Sequence, residues 1–164
     1  MRKSKINISG FKIGTAENRE GLTGVTVILA PDGGATAGVD VRGCAPGTRE
    51  TDLLDPRKTV QKIHAVVLSG GSAFGLEAAS GCVKYLAEQG VGFPIGNVCV
   101  PIVCSAVLFD LMIGDEKAYP DLLMGYEAAK SASSEFLSGC NGAGTGATAV
   151  SYTHLRAHET SAHL

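Results

Sequence analysis

The stretch HAVVLSGGSAFGLEAASG, residues 64–81, decides the fold class of this chain. It opens within an apolar run, residues 63–69, whose length and lack of alternation predict a buried strand. Two glycines then turn the chain, and Ser72 predicts the capped start of a helix that ends at about Gln89. A strand, a tight turn and a helix in this order predict a protein of the α/β class.

The predicted helix 72–89 is amphipathic, with one wet face and a broad apolar face. Three charged residues fall within about 40° of one another at 3.6 residues per turn. They are Glu77, Lys84 and Glu88. Apolar residues on the other faces are expected to pack inward, and they are Phe74, Leu76, Ala79, Val83 and Leu86. Gly90 is placed to end the helix.

Two further elements are predicted upstream of this unit. Residues 24–30 and 35–43 alternate in polarity, and the Asp-Gly-Gly sequence of residues 32–34 lies between them, which predicts a β-hairpin. The Asp-Pro pair that opens residues 55–62 is typical of an N-cap and first helical position, which predicts a short helix. The hairpin and the buried strand are expected to share one sheet, covered by the long helix.

The downstream part is harder to assign. Residues 98–111 are apolar but contain a proline, and residues 105–111 fit either a strand or a helix. Residues 121–136 are amphipathic and predict a helix. The stretch GCNGAGTGAT, residues 139–148, has no periodicity and is interpreted as a glycine loop.

Composition excludes several classes of protein. The 164 residues fit one domain or a large piece of one, and the 14 basic against 16 acidic residues exclude a strongly basic nucleic-acid-binding face. A hydrophobic share of 45% excludes a disordered chain, and no apolar run reaches the roughly 20 residues of a membrane span. Five scattered cysteines without a Cys-x-x-Cys pair, and no apolar segment after the basic N-terminus, predict a cytoplasmic protein without a zinc site or signal peptide.

The last 15 residues differ in character from the rest. Three of the four histidines fall there, at His154, His158 and His163. The string VSYTHLRAHET can be written in codons that resemble a transposase sequencing adapter. We therefore expect residues 150–164 to be a non-native tail whose removal leaves stability unaltered, and residues 1–149 to be the N-terminal part of the domain.

The Gly-Gly-Ser turn is the main candidate site, because backbone N–H groups at a helix start bind anions or polarised carbonyls. A P-loop is excluded since Leu76 stands where lysine is needed, and a nucleophile elbow is excluded since Gly75 lies one residue too far along. The alternative for Ser72 is a plain N-cap. A lone His64 at the start of a buried strand is more often structural than catalytic.

The second glycine loop, with GAGTGA at residues 142–147, lacks the spacing of a dinucleotide site. Four carboxylates upstream of it are typical of a hydrophilic turn, and they are Asp110, Asp115, Glu116 and Asp121. The residues by themselves therefore indicate an α/β scaffold with two glycine loops and no complete catalytic set. A module that binds a small ligand without chemistry is the alternative to an enzyme.

Seven segments, taken in order, resemble one family. They are GLTGVTVILA, AGVDVRGCAPGTRETDLLDP, HAVVLSGGSAFGLEAASG, VPIVCSAVLFDL, IGDEKAYPD, MGYEAA and GAGTGAT. This pattern is similar to the L-aminopeptidase/D-esterase family of DmpA-type and β-aminopeptidase enzymes, whose fold is shared with ornithine acetyltransferase. The resemblance covers about residues 8–148 and implies part of a four-layer α/β/β/α sandwich.

The resemblance also implies a reaction. Members of the family are made as one precursor that cuts itself before a Ser or Thr, which becomes both a new N-terminus and the nucleophile. They release N-terminal residues from small peptides, amides and esters, without a metal or cofactor. The self-cleaved residue is expected beyond this chain, so no catalytic residue is assigned here and the chain alone is expected to be inactive.

Site residues and partners follow from the same resemblance. The implied substrate-binding residues are Ser69, Gly70, Gly71 and Ser72, together with Gly142, Gly144, Thr145 and Gly146 from the second loop. The implied partners are a small peptide or amino-acyl substrate, the protein's own C-terminal portion as a small subunit, and further copies in a homo-oligomer. Neither nucleic acid nor a membrane is expected as a partner.

Overall fold

The computed structural model describes residues 2–148, which form nine strands, two α-helices and three short 3-10 turns. The strands are β1 (Arg2–Lys5), β2 (Lys12–Asn18), β3 (Thr23–Leu29), β4 (Thr48–Arg49), β5 (Ala65–Ser69), β6 (Phe93–Ile95), β7 (Val98–Val100), β8 (Val103–Val107) and β9 (Glu135–Ser138). The helices are α1 (Ala78–Glu88) and α2 (Leu122–Lys130), and the 3-10 turns cover Thr51–Leu54, Ser72–Glu77 and Gly142–Gly144. Mixed sheets with packed helices confirm the predicted α/β class. The tail predicted to be non-native, residues 150–164, lies outside the described residues.

A five-stranded sheet in the order β2-β3-β5-β8-β4 forms the centre of the fold. Strands β5 and β8 are parallel and are joined through α1, whereas the other neighbouring pairs are antiparallel. The apolar run of residues 63–69 is the middle strand β5, as predicted, and Val67 lies between Val27 and Ser105. The turn after β5 therefore lies at the carboxyl edge of the parallel pair, where α/β proteins commonly bind ligands.

One face of this sheet packs against α1 and α2 and forms the hydrophobic core. Its buried residues are Val25, Val27, Leu29, Ala65, Val67, Ala78, Ala79, Cys82, Leu86, Val103, Ala128 and Ala129. Glycines let the two helices approach closely. A Cβ at Gly81 would overlap the Leu122 carbonyl oxygen, and one at Gly125 would overlap the Ala78 carbonyl oxygen. Close backbone contact thus replaces the large side chains that this core lacks.

Among residues 2–148, no second layer covers the opposite face of the sheet. Ile13, Ile28, Leu68 and Ala106 line a broad apolar hollow there, bordered by Phe136 of β9. Leu68, in the middle strand, is 39% exposed. An apolar sheet face of this kind is the surface that a second sheet covers in a sandwich.

The predicted hairpin is wrong in its second strand. The turn forms, since the Gly34 amide donates to the Pro31 carbonyl at 2.9 Å, but a single bridge from Ala35 to Ile63 is the only pairing that follows it. Val39 and Val41 remain about half exposed, so the apolar side chains of this alternating segment are not buried against a hydrophobic surface. Strand β3 pairs with β2 and β5 instead.

The short helix predicted over residues 55–62 is also absent. A 3-10 turn at Thr51–Leu54 precedes this position. The Asp55 carboxylate accepts hydrogen bonds from the backbone amide and the guanidinium of Arg57, so it closes a local turn rather than a helix.

The helix predicted over residues 72–89 begins differently from the expectation. Its first part is the 3-10 turn Ser72–Glu77, and Ser72 makes no capping hydrogen bond because Gly71 occupies the N-cap position. The predicted wet face is exposed, and Gly90 follows the helix with a φ of 69°. Phe74 does not pack inward: it is 58% exposed and stacks on Tyr119.

The helix predicted over residues 121–136 is shorter than expected. Asp121 caps α2 by accepting from the Met124 amide at 2.8 Å, but the helix ends at Lys130 and residues 135–138 become strand β9. The reason is long-range, since β9 pairs with β1 at the other end of the described chain. Of residues 105–111, for which strand and helix were both left open, residues 105–107 belong to strand β8 and residues 108–111 are neither strand nor helix. No helix within residues 2–148 has the length and apolarity needed to cross a bilayer.

Candidate functional site

The Gly-Gly-Ser turn leaves β5 in an unusual backbone conformation. Gly71 has a φ of 78°, and Ser72 follows with a φ of 52°, although a side chain disfavours this region. A Cβ at Gly71 would lie 2.7 Å from the Tyr119 Cβ and 2.8 Å from the Pro120 Cδ. The turn is therefore tightly enclosed on one side by the 119–120 segment, whose Tyr119 ring stacks on Phe74 at 4.7 Å between centroids.

Each of the three amides in this turn donates a hydrogen bond inside the fold. The bonds run from Gly70 to the Gly24 carbonyl (2.9 Å), from Gly71 to the Asp110 carboxylate (2.6 Å) and from Ser72 to the Leu108 carbonyl (2.9 Å). None of these N–H groups is free for an anion or a polarised carbonyl in this arrangement. A substrate contact at this turn would use its other atoms.

The four predicted substrate-binding residues of the turn differ in accessibility. Ser69 is 1% exposed, and its hydroxyl donates to the Gly70 carbonyl at 3.1 Å. Gly70 and Gly71 are buried, whereas Ser72 is only partly buried. The assignment of these residues to substrate binding stays a prediction, and Ser72 carries the side chain best placed for it.

Asp110 is the residue that organises the turn, and the sequence did not single it out. It was assigned to a hydrophilic turn, but it is 2% exposed. Its carboxylate accepts from the Thr23 hydroxyl at 2.8 Å and from the Gly71 amide at 2.6 Å. Gly70 makes room for it, because a Cβ there would overlap the carboxylate. The available signal was its position: it is the first of the four carboxylates of that predicted turn and lies three residues after an apolar strand that ends at Val107.

The second glycine loop is held in a similar manner. The Gly142 amide donates to the Glu17 carboxylate at 3.0 Å, and the Ala143 amide donates to the Thr26 hydroxyl at 3.1 Å. Glu17 was also missed by sequence reasoning, because its partner lies far along the chain. Among the described residues, the buried hydroxyl of Thr145 has no hydrogen-bond partner.

The structure brings the two glycine loops together around the start of β3. Gly24 accepts from the Gly70 amide, and a Cβ on Gly24 would overlap the Gly142 carbonyl oxygen. Gly146 packs beside Asp110, since an ideal Cβ on it would lie 3.1 Å from the Asp110 Cβ. Both candidate loops therefore lie at one end of the sheet.

His64 belongs to the opposite end of the sheet. It is 6% exposed, and its Nδ1 accepts from the Ile102 amide at 3.1 Å, while burial lowers its pKa below the ordinary value. A neutral, hydrogen-bonded histidine at the start of β5 fits the structural role that the sequence favoured.

The possible metal ligands among residues 2–148 lie apart from one another. This part of the chain holds no group of three or more His, Cys, Asp or Glu arranged to bind a metal ion. The cysteines are free thiols, and burial raises the pKa of Cys82 to about 12. Such a thiol is a core residue rather than a nucleophile or ligand at neutral pH.

Several relatives share much of this sequence. The chain is 48% identical over 126 residues to an uncharacterized aminopeptidase of Mycobacterium tuberculosis, covering 77% of this chain and 36% of the relative. It is 36% identical over 146 residues to a 6-aminohexanoate-oligomer endohydrolase of a Kocuria species, covering 88% of this chain and 38% of the relative. The chain thus spans less than half the length of the curated relatives it matches.

Solved structures share the fold. A Pyrococcus horikoshii protein matches with a TM-score of 0.69 at 23% identity, over 86% of this chain and 44% of its own. A β-aminopeptidase from a Burkholderia species matches with a TM-score of 0.63 at 19% identity, over 85% of this chain and 41% of its own. The resemblance seen in the sequence motifs is therefore confirmed at the level of the fold. The family model described as peptidase family S58 matches residues 5–153, nearly the whole chain, and the chain belongs to that family.

Proposed function

We propose that this chain is the leading part of a self-processing hydrolase that releases N-terminal residues from small peptides, amides or esters. Its nucleophile would be a Ser or Thr exposed by self-cleavage in a segment that follows the second glycine loop. The names of the relatives support amide hydrolysis, since one is an aminopeptidase and another an endohydrolase of 6-aminohexanoate oligomers. The proposal assigns to this chain the acyl-binding part of the site.

One observation supports the proposal most directly. Residues 69–72 and 142–146, which lie far apart in the sequence, meet around Asp110 at the carboxyl edge of the parallel pair β5 and β8. Gly146, near the end of the second loop, packs beside Asp110. A nucleophile in the following segment would therefore start close to the residues proposed to hold its substrate.

The chemistry requires a group that this chain does not supply among its described residues. In the proposed reaction the hydroxyl oxygen of the new N-terminal residue attacks the acyl carbon, and its proton passes to the free amine of the same residue. The leaving amine takes that proton, and water then releases the acid and restores the hydroxyl. Internal Ser and Thr residues have no such adjacent amine, and His64 is buried at the far end of β5. We therefore propose that the chain alone is inactive.

The open face of the central sheet suggests where the remaining portion binds. Its apolar residues, among them Leu68 and Ile28, line a hollow that a second sheet would cover. We propose the protein's own C-terminal portion as that partner, and a homo-oligomer of the completed enzyme. The free thiols of the described chain support the cytoplasm as its compartment.

The test uses the 164-residue chain with and without the remainder of the full-length protein. The purified chain is followed by mass spectrometry for several days and assayed with amino-acyl p-nitroanilides, small peptides and 6-aminohexanoate oligomers. We expect no self-cleavage and no release above a mock preparation. Adding the separately expressed remainder should restore hydrolysis, and a remainder whose first Ser or Thr is replaced by Ala should not. Activity of the chain alone, or no activity of the complete protein on any of these substrates, contradicts the proposal.

A further inference from the structure

We infer that Asp110 is a positioning residue that fixes the peptide between Gly70 and Gly71 and thereby sets the orientation of Ser72 for substrate. This inference deepens the proposed function and rests on it for its consequence in catalysis. The structural part of the inference, that one buried carboxylate controls the turn, follows from the geometry alone. Asp110 lies outside the sequence motif of the turn, 39 positions from Gly71 along the chain.

The hydrogen bonds of Asp110 restrain the turn at its most unfavourable point. One carboxylate oxygen accepts from the Gly71 amide at 2.6 Å, directly before the positive φ of Ser72. A side chain in this backbone region costs free energy, so it persists only where surrounding contacts hold it. The short bond from Gly71 is such a contact, and the Ser72 amide adds a second through the Leu108 carbonyl.

The second carboxylate oxygen fixes Asp110 itself. It accepts from the Thr23 hydroxyl at 2.8 Å, at the start of β3. Burial to 2% exposure removes water as a competing partner, which strengthens both hydrogen bonds. Gly70 and Gly146 pack directly beside the carboxylate and the Cβ of Asp110, respectively, and neither leaves room for a side chain. Asp110 thus has one orientation, and the turn depends on it.

The Gly71 amide could act as an oxyanion donor or as a restraint on the turn, and the geometry distinguishes these two roles. If the Gly71 N–H were an oxyanion donor, it would be free or bound to water in the resting protein. It is instead bound to a buried carboxylate, whose negative charge would repel an oxyanion at the same position. The structure therefore favours a restraint on the turn over a direct contact with the reacting carbonyl.

The first experiment measures the turn itself in the 164-residue chain. Amide hydrogen exchange at Gly71 is compared in the parent chain, Asp110→Ala, Asp110→Asn and Val103→Ala. Asparagine can still accept from Gly71 and donate to the Thr23 hydroxyl, so we expect exchange within roughly threefold of the parent. Alanine removes both bonds, and we expect exchange at Gly71 to rise roughly tenfold or more, the effect of losing one hydrogen bond to a charged group.

Val103→Ala is the matched control. Val103 is 2% exposed and begins the same strand that Asp110 follows, but it lies at the other end of the sheet from the turn. Its truncation weakens the core without removing a contact of the turn. If it raises exchange at Gly71 as much as Asp110→Ala does, Asp110 acts only through global stability and the inference is wrong. Should Asp110→Ala not fold, Thr23→Val removes one of the two bonds, and unchanged exchange at Gly71 in that variant overturns the inference as well.

The second experiment measures the consequence for catalysis in the complete protein. We expect Asp110→Ala to raise KM roughly tenfold with a smaller change in kcat, and Asp110→Asn to restore most of the loss. Val103→Ala should leave both constants within about twofold of the parent below its unfolding temperature. A fall in kcat without a change in KM, or no rescue by Asn, overturns the positioning role. If the unaltered complete protein hydrolyses nothing, the proposed function fails, while the exchange comparison still decides whether Asp110 controls the turn.

Discussion

The carboxylate of Glu17 accepts a hydrogen bond from the backbone amide of Gly142, 125 residues further along the chain, at 3.0 Å. Asp110 binds the Gly71 amide in the same manner. Each glycine loop is therefore held by one carboxylate from another part of the sequence. Backbone N–H groups that a glycine-rich loop leaves unpaired must find partners when buried, and these two acids supply them.

Replacing Glu17 by Ala should loosen the second glycine loop. The Gly142 amide then loses a charged acceptor, and we expect the free energy of unfolding to fall by about 1–2 kcal/mol. Amide exchange at Gly142 should rise, while exchange at Gly71 stays unchanged. Glu20→Ala is the control, because Glu20 is exposed and its side chain has no hydrogen bond to either loop among residues 2–148. If both substitutions lower the free energy of unfolding equally, the hydrogen bond to Gly142 does not contribute to stability.

Gly71→Val should disrupt the first turn far more than the same change at an open position. Gly71 combines a φ of 78° with neighbours at 2.7 and 2.8 Å from an ideal Cβ, so a β-branched residue meets both strain and overlap. Gly33 has a φ of 83° but no atom within 4 Å of an ideal Cβ. Gly33→Val therefore measures the loss of unfolding free energy caused by valine at a positive φ without steric overlap, about 1–2 kcal/mol. We expect Gly71→Val to cost at least about 2 kcal/mol more, read from denaturant unfolding. An unchanged melting temperature for Gly71→Val would falsify this.

The elements that sequence reasoning identified were those whose signals are local. Strand β5, the glycine turn and the end of α1 near Gly90 follow from an apolar run, two glycines and a helical period within about 30 residues. The predicted hairpin failed at residues 35–43 because alternation indicates a strand only where another strand is available to pair with it. Among residues 2–148, the segment 35–43 makes only the single bridge from Ala35 to Ile63.

The contacts that organise the candidate site could not be read from the sequence. Asp110 and Glu17 look like ordinary surface acids in a polar turn and an alternating strand. Their hydrogen bonds reach partners 39 and 125 residues away, which only the folded chain brings near. The end of α2 was missed for the same reason, since residues 135 and 136 continue the helical pattern but belong to strand β9, which pairs with β1.

Gly125→Ala should test the close crossing of the two helices. A Cβ there would overlap the carbonyl oxygen of Ala78, so α1 and α2 must move apart across the core. We expect a loss of about 2 kcal/mol or more in unfolding free energy, as for an overpacked core, despite the better helix propensity of alanine. Gly38→Ala is the control, because no atom lies within 4 Å of its ideal Cβ. That variant should be neutral or stabilised by up to about 1 kcal/mol.

The stability of the chain should fall as the pH falls through the range of His64. Burial lowers the pKa of His64 in the folded state, so the unfolded state binds the proton more readily. The contribution of His64 is thus fully present above its unfolded pKa of about 6.5 and is lost at lower pH. The parent and the variant both keep the other three histidines of the chain, His154, His158 and His163. His64→Asn should flatten the difference in unfolding free energy between pH 7.5 and pH 5, and an equal slope in the variant would contradict the assignment.

An exposed apolar sheet face favours association of the isolated chain, and Leu68→Glu should reduce this association. Leu68 stands in the middle of the open sheet face and is 39% exposed, so a charge there should interrupt the apolar hollow. Sedimentation velocity should show a larger monomer fraction than for the parent chain. The same variant should fail to recover activity with the separately expressed remainder. Met112→Glu is the control, since Met112 is 84% exposed but lies outside the sheet, and it should leave complementation unchanged.

The pairing of β1 with β9 has a consequence for the order in which the chain folds. Residues Arg2–Lys5 have their partners at Glu135–Ser138, so a ribosome completes nearly the whole described chain before the first strand can pair. Contacts this distant in sequence close large loops and slow folding. A waiting strand with unpaired backbone groups can add to the sheets of other chains. Charged side chains on a strand disfavour such additions, and Lys3 and Lys5 place two positive charges on β1.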